Sequence, residues 1–250
     1  MGIYKNHGFT IIEVMLFLAV TGALTVAILA GTGASINQQR YRDSVNSLKS
    51  YLQSQFSEVS NVINDRTGGW QCGTDGTTSQ VPNGGQPRGT TDCVILGRLI
   101  TLDDTGTKLT ASNVTGYQPA GAGQNANSDI AVLQTYKIAV SAVNQEPDEV
   151  SWGAHIVKSQ NLNAIQPLAM LIVRSPLSGT ILTFVADRAP DDLASMISLA
   201  NMQQSRDLCV EPSAGTLVGQ RLAVRIAAFA ANQSAIEIPS ASGNGAPCQG

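Results

Sequence analysis

Histidine and charge are both scarce in this chain of 250 residues: two histidines in all, and only 13% Asp, Glu, Lys and Arg. Zinc sites draw on closely spaced cysteine and histidine. The four cysteines, Cys72, Cys93, Cys209 and Cys248, form no C-x-x-C pair. No G-x-S-x-G elbow, P-loop or H-E-x-x-H run occurs. Asp103-Asp104 and Asp191-Asp192 are adjacent carboxylates, but strand neighbours point to opposite faces and turns favour Asp. Glu146-Pro147-Asp148-Glu149 reads as a solvated acidic loop rather than a calcium site. His155 reads as a structural or exposed histidine. No catalytic residue, metal or cofactor is expected. A basic excess is missing too: net charge is −3, and from residue 64 onward 11 Lys and Arg face 15 Asp and Glu. Phosphate contacts dominate nucleic-acid affinity, so nucleic acid is not an expected partner.

The residues present point elsewhere. The chain is 43% hydrophobic, so wholesale disorder is excluded. Its length suffices for one sizeable domain or two small ones. The apolar residues crowd near the N-terminus, and the rest is rich in Gly, Ser, Thr, Asn and Ala, as suits a β-rich, loop-rich domain outside the cell. An even number of widely spaced cysteines behind a membrane-targeting segment reads as two disulfides in an oxidising compartment. Of three possible pairings, Cys72–Cys93 and Cys209–Cys248 each close a local, Gly-rich excursion.

The apolar run starts at Phe9, is broken once by Glu13, and resumes to residue 30. About 20 such residues at ~1.5 Å each span a ~30 Å hydrocarbon core. A signal peptide, a membrane anchor and a filament-forming helix all begin this way. The run is long for a signal peptide, although Gly31-Thr32-Gly33-Ala34 would serve as its cleavage site. Glu13 also lies inside the run. A carboxylate within an apolar membrane segment costs about 2.5–3.5 kcal/mol on the lenient scale and is usually partnered.

The run Gly8-Phe9-Thr10-Ile11-Ile12-Glu13-Val14 resembles the processing motif of type IV prepilins and of the pseudopilins of type II secretion. The resemblance covers seven residues. It implies cleavage after Gly8 by a membrane prepilin peptidase and methylation of the new Phe9 amine. It also implies assembly into a filament through the helix, with Glu13, and Thr10 beside it, serving assembly. Glu13 would pair with the Phe9 amine of a neighbouring subunit. The partners implied are other pilin subunits, the peptidase, an assembly platform in the cytoplasmic membrane, and the membrane itself before assembly. After assembly the chain would stand in an extracellular pilus or a periplasmic pseudopilus. The length of the globular part favours a minor pilin or a pseudopilin.

Beyond Gly33 the pattern turns amphipathic, with Val45, Leu48, Leu52, Phe56, Val59 and Ile63 at steps of three and four. One helix is therefore expected from Thr10 to Asn64. Many pilins carry a proline midway along the apolar segment; this chain has none, and Gly22, Gly31 and Gly33 are its weak points. Residues 67–89 read as turns. Strands are expected over 93–101, 132–140, 168–175, 180–186 and 221–229, with shorter ones at 208–210 and 235–238. Within 221–226, Leu222, Val224 and Ile226 point inward and Arg221, Ala223 and Arg225 outward. Residues 174–179 form a hairpin loop, 115–128 a loop or insertion, and 193–203, behind Pro190-Asp191-Asp192, a capped short helix. The resulting expectation is an α+β pilin fold. Residues 1–8 are a leader, 9–34 a membrane and filament-core helix, 35–64 its amphipathic continuation, and 65–250 a β-rich head whose C-terminal strands a Cys209–Cys248 bridge would tie down.

Overall fold

A computed structural model describes residues 9–61, 69–81, 84, 90–142, 145–212, 220–240 and 248. One helix, α1 (Ile11–Ser60), runs unbroken for 50 residues, about 75 Å at 1.5 Å per residue. Thr10 is its N-cap and Asn61 its C-cap, so it stops short of the expected Asn64; residues 62–64 lie outside the described ones. With no proline in it, α1 passes through Gly22, Gly31 and Gly33 without a break. Its two halves differ sharply. Up to Arg40 almost every described side chain is exposed, whereas Tyr41, Val45, Leu48, Leu52, Phe56 and Val59 form one buried stripe.

That stripe lies against antiparallel sheets. A small hairpin, β1 (Trp70–Cys72) with β2 (Thr78–Gln80), occupies the segment expected to be turns alone. The central sheet is built from β3 (Cys93–Leu102), β4 (Lys108–Tyr117), β5 (Lys137–Val140), β6 (Glu146–Glu149), β9 (Ala169–Arg174) and β10 (Ile181–Ala186). Its order is β10-β9-β3-β4-β5, with β6 on the other end of β4's free edge. The second sheet follows the order β13-β12-β11-β7-β8, from β7 (His155–Lys158), β8 (Asn161–Ile165), β11 (Arg206–Glu211), β12 (Ala223–Ile226) and β13 (Ile236–Glu237). The architecture is α+β.

The main core joins α1 to one face of both sheets through Ile100, Met170, Ile172, Leu208, Val210, Val224 and Ile226. The opposite face of the central sheet is covered as well. Leu99, Leu171, Val173 and Phe184 pack there under Leu133 of α2 (Asp129–Leu133) and Met196 of a 3₁₀ turn (Leu193–Met196). Burial on both faces explains why β3 and β9 read as continuous apolar runs. Polar ties fix the helix. The Tyr41 hydroxyl donates to the Val210 carbonyl at 3.1 Å and accepts the Leu222 amide at 2.5 Å. Gln53 Nε2 donates to the Ile236 carbonyl at 3.1 Å.

Several segments depart from the sequence expectation. Residues 132–140 are not one strand: Ser128 caps α2, and β5 begins only at Lys137. Thr115–Tyr117, expected in a loop, complete β4. The acidic run at 146–149 is an edge strand, and β7 and β8 form a hairpin where nothing regular was expected. The helix expected over 193–203 is two pieces. Asp192 caps the 3₁₀ turn, and Ser198 caps α3 (Leu199–Met202). Ala223, expected outward, is fully buried beside Cys209 and Cys248. Between β9 and β10 the loop closes with Gly179 at φ +76°, where glycine carries no Cβ penalty.

Candidate functional site

The first half of α1 is the candidate site. Thr10 sits in extended backbone (φ −77°, ψ 151°) and caps the helix through its side chain. Thr10 Oγ1 accepts the Glu13 amide at 3.3 Å, and Glu13 Oε2 accepts the Thr10 amide at 3.2 Å and its hydroxyl at 3.3 Å. This reciprocal pair is a capping box, the T-x-x-E signature of a helix start. The T-x-x-E spacing is present in the sequence, but the sequence reading did not identify it as a helix cap. The box engages Oε2 alone, and no hydrogen bond reaches Oε1 from a described residue.

Above the box the helix is apolar all round. Phe9 is 85% exposed, and Ile11, Ile12, Met15, Leu16, Phe17 and Leu18 are exposed likewise. Phe9, Glu13, Val14, Leu16, Phe17 and Val20 line one open face. The threonines in this half hide their polarity. Thr21 donates to the Phe17 carbonyl at 2.8 Å, Thr25 to that of Thr21 at 2.8 Å, and Thr32 to that of Leu29 at 3.0 Å. Each hydroxyl therefore returns to its own helix, leaving methyl groups outward and no unsatisfied donor. The helix is long and apolar enough to cross a membrane, as a signal sequence near an N-terminus also is. Gly8 lies outside the described residues.

The other singled-out residues stand apart from this helix. Cys72 is bonded to Cys93, and Cys209 to Cys248, each with Cα atoms 5.6 Å apart. Asp103 holds the β3–β4 turn, accepting the Thr107 amide at 3.0 Å and the Lys108 amide at 3.1 Å. Burial pushes its pKa up, but the hydrogen bonds from Thr105, Lys108 and Thr107 outweigh that and hold it below the usual value. Asp192 accepts the Ala194 amide at 3.1 Å. Glu146 is taken by Arg98 at 2.7 Å. His155 lies in β7 opposite Glu211 of β11. Among the described residues, no group of three or more His, Cys, Asp and Glu is placed to hold a metal ion.

No protein-family model matches the chain, and no curated protein or solved structure is significantly similar to it.

Proposed function

We propose that this chain is a type IV pilin-like subunit. It is processed after Gly8, methylated at Phe9, held in the cytoplasmic membrane by the first half of α1, and assembled into a filament through that half. The observation that carries the reading is the division of α1. Its head half buries one apolar stripe against two sheets, and its other half exposes apolar side chains on every face directly behind Gly8-Phe9. So much apolar surface is stable only against lipid or against other copies of the same helix. A filament subunit needs both in turn.

Glu13 fits this use. Cleavage would create a cationic α-amine on Phe9. In a low-dielectric bundle of helices that amine needs an acceptor, and Glu13 Oε1 is left over from the capping box. A neighbour shifted along the helix axis would supply the pair. Removing one member of such a buried pair costs several kcal/mol, which makes it a check on register. The long head favours a minor pilin or a type II secretion pseudopilin within this class, acting without catalysis.

The test is intact-mass and N-terminal sequencing of the protein from its native membrane, with Glu13→Ala and Thr10→Ala beside it. A start at N-methyl-Phe9 is expected. Each variant loses one half of the capping box, Thr10→Ala the bond to the Glu13 amide and Glu13→Ala the bond to the Thr10 amide, yet only Glu13→Ala is expected to lose filaments. A start at Ser35 would mean a signal peptide, and an uncut Met1 a plain anchor. Equal assembly defects in the two variants would reduce Glu13 to a capping residue.

A further inference from the structure

Trp152 lies between β6 and β7 in a single 3₁₀ turn, Ser151–Gly153, that packs against α1. It is 57% exposed, yet its backbone is left-handed, at φ +61° and ψ +24°. Bulky side chains are strained there, and such strain clusters where a side chain must be aimed. The strain presents the ring to solvent, stacked on the Arg40 guanidinium at 5.0 Å from its centroid.

The position of Arg40 gives the pair its meaning. Arg40 stands at the level where α1 enters the head, since Tyr41 is the first buried residue of the helix among the described side chains. It is also the first charge after Glu13, because all 26 residues from 14 to 39 are uncharged. At ~1.5 Å per residue that stretch runs ~39 Å, against ~30 Å of hydrocarbon and ~40–45 Å between the outer headgroup planes. With Glu13 at one face of a bilayer, Arg40 and Trp152 reach the headgroup layer of the other.

We infer that Trp152 and Arg40 form an interfacial foot by which the base of the head rests on the phospholipid headgroup layer. The inference depends on the membrane-spanning reading of α1. Tryptophan favours this layer because its ring is apolar and its edge polar. Arginine lays its stem along apolar surface and offers its charge to phosphate. The foot sets the depth and tilt of the head on the membrane before the subunit leaves the bilayer.

Tryptophan fluorescence of the full chain in phosphatidylcholine–phosphatidylglycerol vesicles tests this. Trp70→Phe leaves Trp152 as the only tryptophan; should that variant misfold, the difference between the wild type and Trp152→Phe reads the same signal. Acyl chains brominated near the glycerol end are expected to quench Trp152 roughly twofold more than chains brominated near the methyl end, as for an interfacial ring. A reporter, Leu18→Trp on a background lacking both natural tryptophans, reads the span separately. If the reporter is quenched and Trp152 keeps water-like emission, the foot is overturned while the span stands. If neither is quenched, the span fails and the foot with it.

Discussion

Arg98 carries a charge into the interior at the join of helix and sheet. Its side chain is 4% exposed and meets Glu146 at 2.7 Å and Glu58 of α1 at 3.7 Å. Its Nε has no hydrogen-bond partner among the described residues. Removing a partner strands a buried charge, whereas replacing the charge with an apolar side chain of similar volume does not. Glu146 is itself largely exposed, which screens the pair. Glu146→Ala is therefore expected to lose roughly 1–2 kcal/mol, and Arg98→Met to stay within about 1 kcal/mol of the wild type. Urea midpoints of the full chain in detergent give both values. Tyr51 lies nearby on α1. Burial, with the Asp148 carboxylate adding to it, pushes its hydroxyl up to about 12 from 10.0. Below pH 10 the hydroxyl is neutral in both states and its contribution is intact. From there to pH 12 the unfolded chain ionises first, so stability falls. The Tyr51 hydroxyl also lacks a hydrogen-bond partner among the described residues. Tyr51→Phe should change stability by less than about 1 kcal/mol at neutral pH and flatten the loss between pH 10 and 12, read from urea midpoints across that range.

At the scale of elements, β3 and α1 show what sequence reading reaches. β3, β9 and β10 were legible because both faces of the central sheet are buried and the strands are mostly apolar. β4 was not, since Lys108-Leu109-Thr110-Ala111-Ser112-Asn113 looks like a loop. Two of its polar residues, Ser112 and Thr115, are buried instead, and the Thr115 hydroxyl donates to the Gly76 carbonyl at 2.8 Å. Such a partner lies far off in the chain and leaves no local trace. Gly97 marks a register shift in the β3–β4 pairing, and a Cβ there would run into the Ile172 carbonyl of β9. Gly97→Ala is expected to destabilise by roughly 2–3 kcal/mol in urea unfolding, the upper end for a single substitution. In α1 the opposite holds. Nothing lies within 4 Å of a Cβ built on Gly22, Gly31 or Gly33. Gly31→Ala should stabilise the isolated helix by about 1 kcal/mol, visible as slower amide exchange around that turn.

At the scale of the molecule, two disulfides hold the head, closing separations of 21 and 39 residues. In the chain-entropy model each contributes roughly 3–4 kcal/mol. Reduction is expected to lower the head's melting temperature well before it affects α1, measured by near-UV and far-UV circular dichroism in the same scan. Some of this architecture depends only on what is adjacent in the chain. The membrane-length apolar run, the amphipathic stripe behind it, the motif around Glu13, and the poverty of charge and histidine were all readable directly. Hydropathy and helical period are local properties that act through solvent before any tertiary contact forms. The tertiary structure alone decided which polar side chains meet which partners: Arg98 between Glu58 and Glu146, Thr115 on Gly76, Trp152 on Arg40. Those pairings join segments remote in sequence, and their energy exists only once the sheets have closed over the helix.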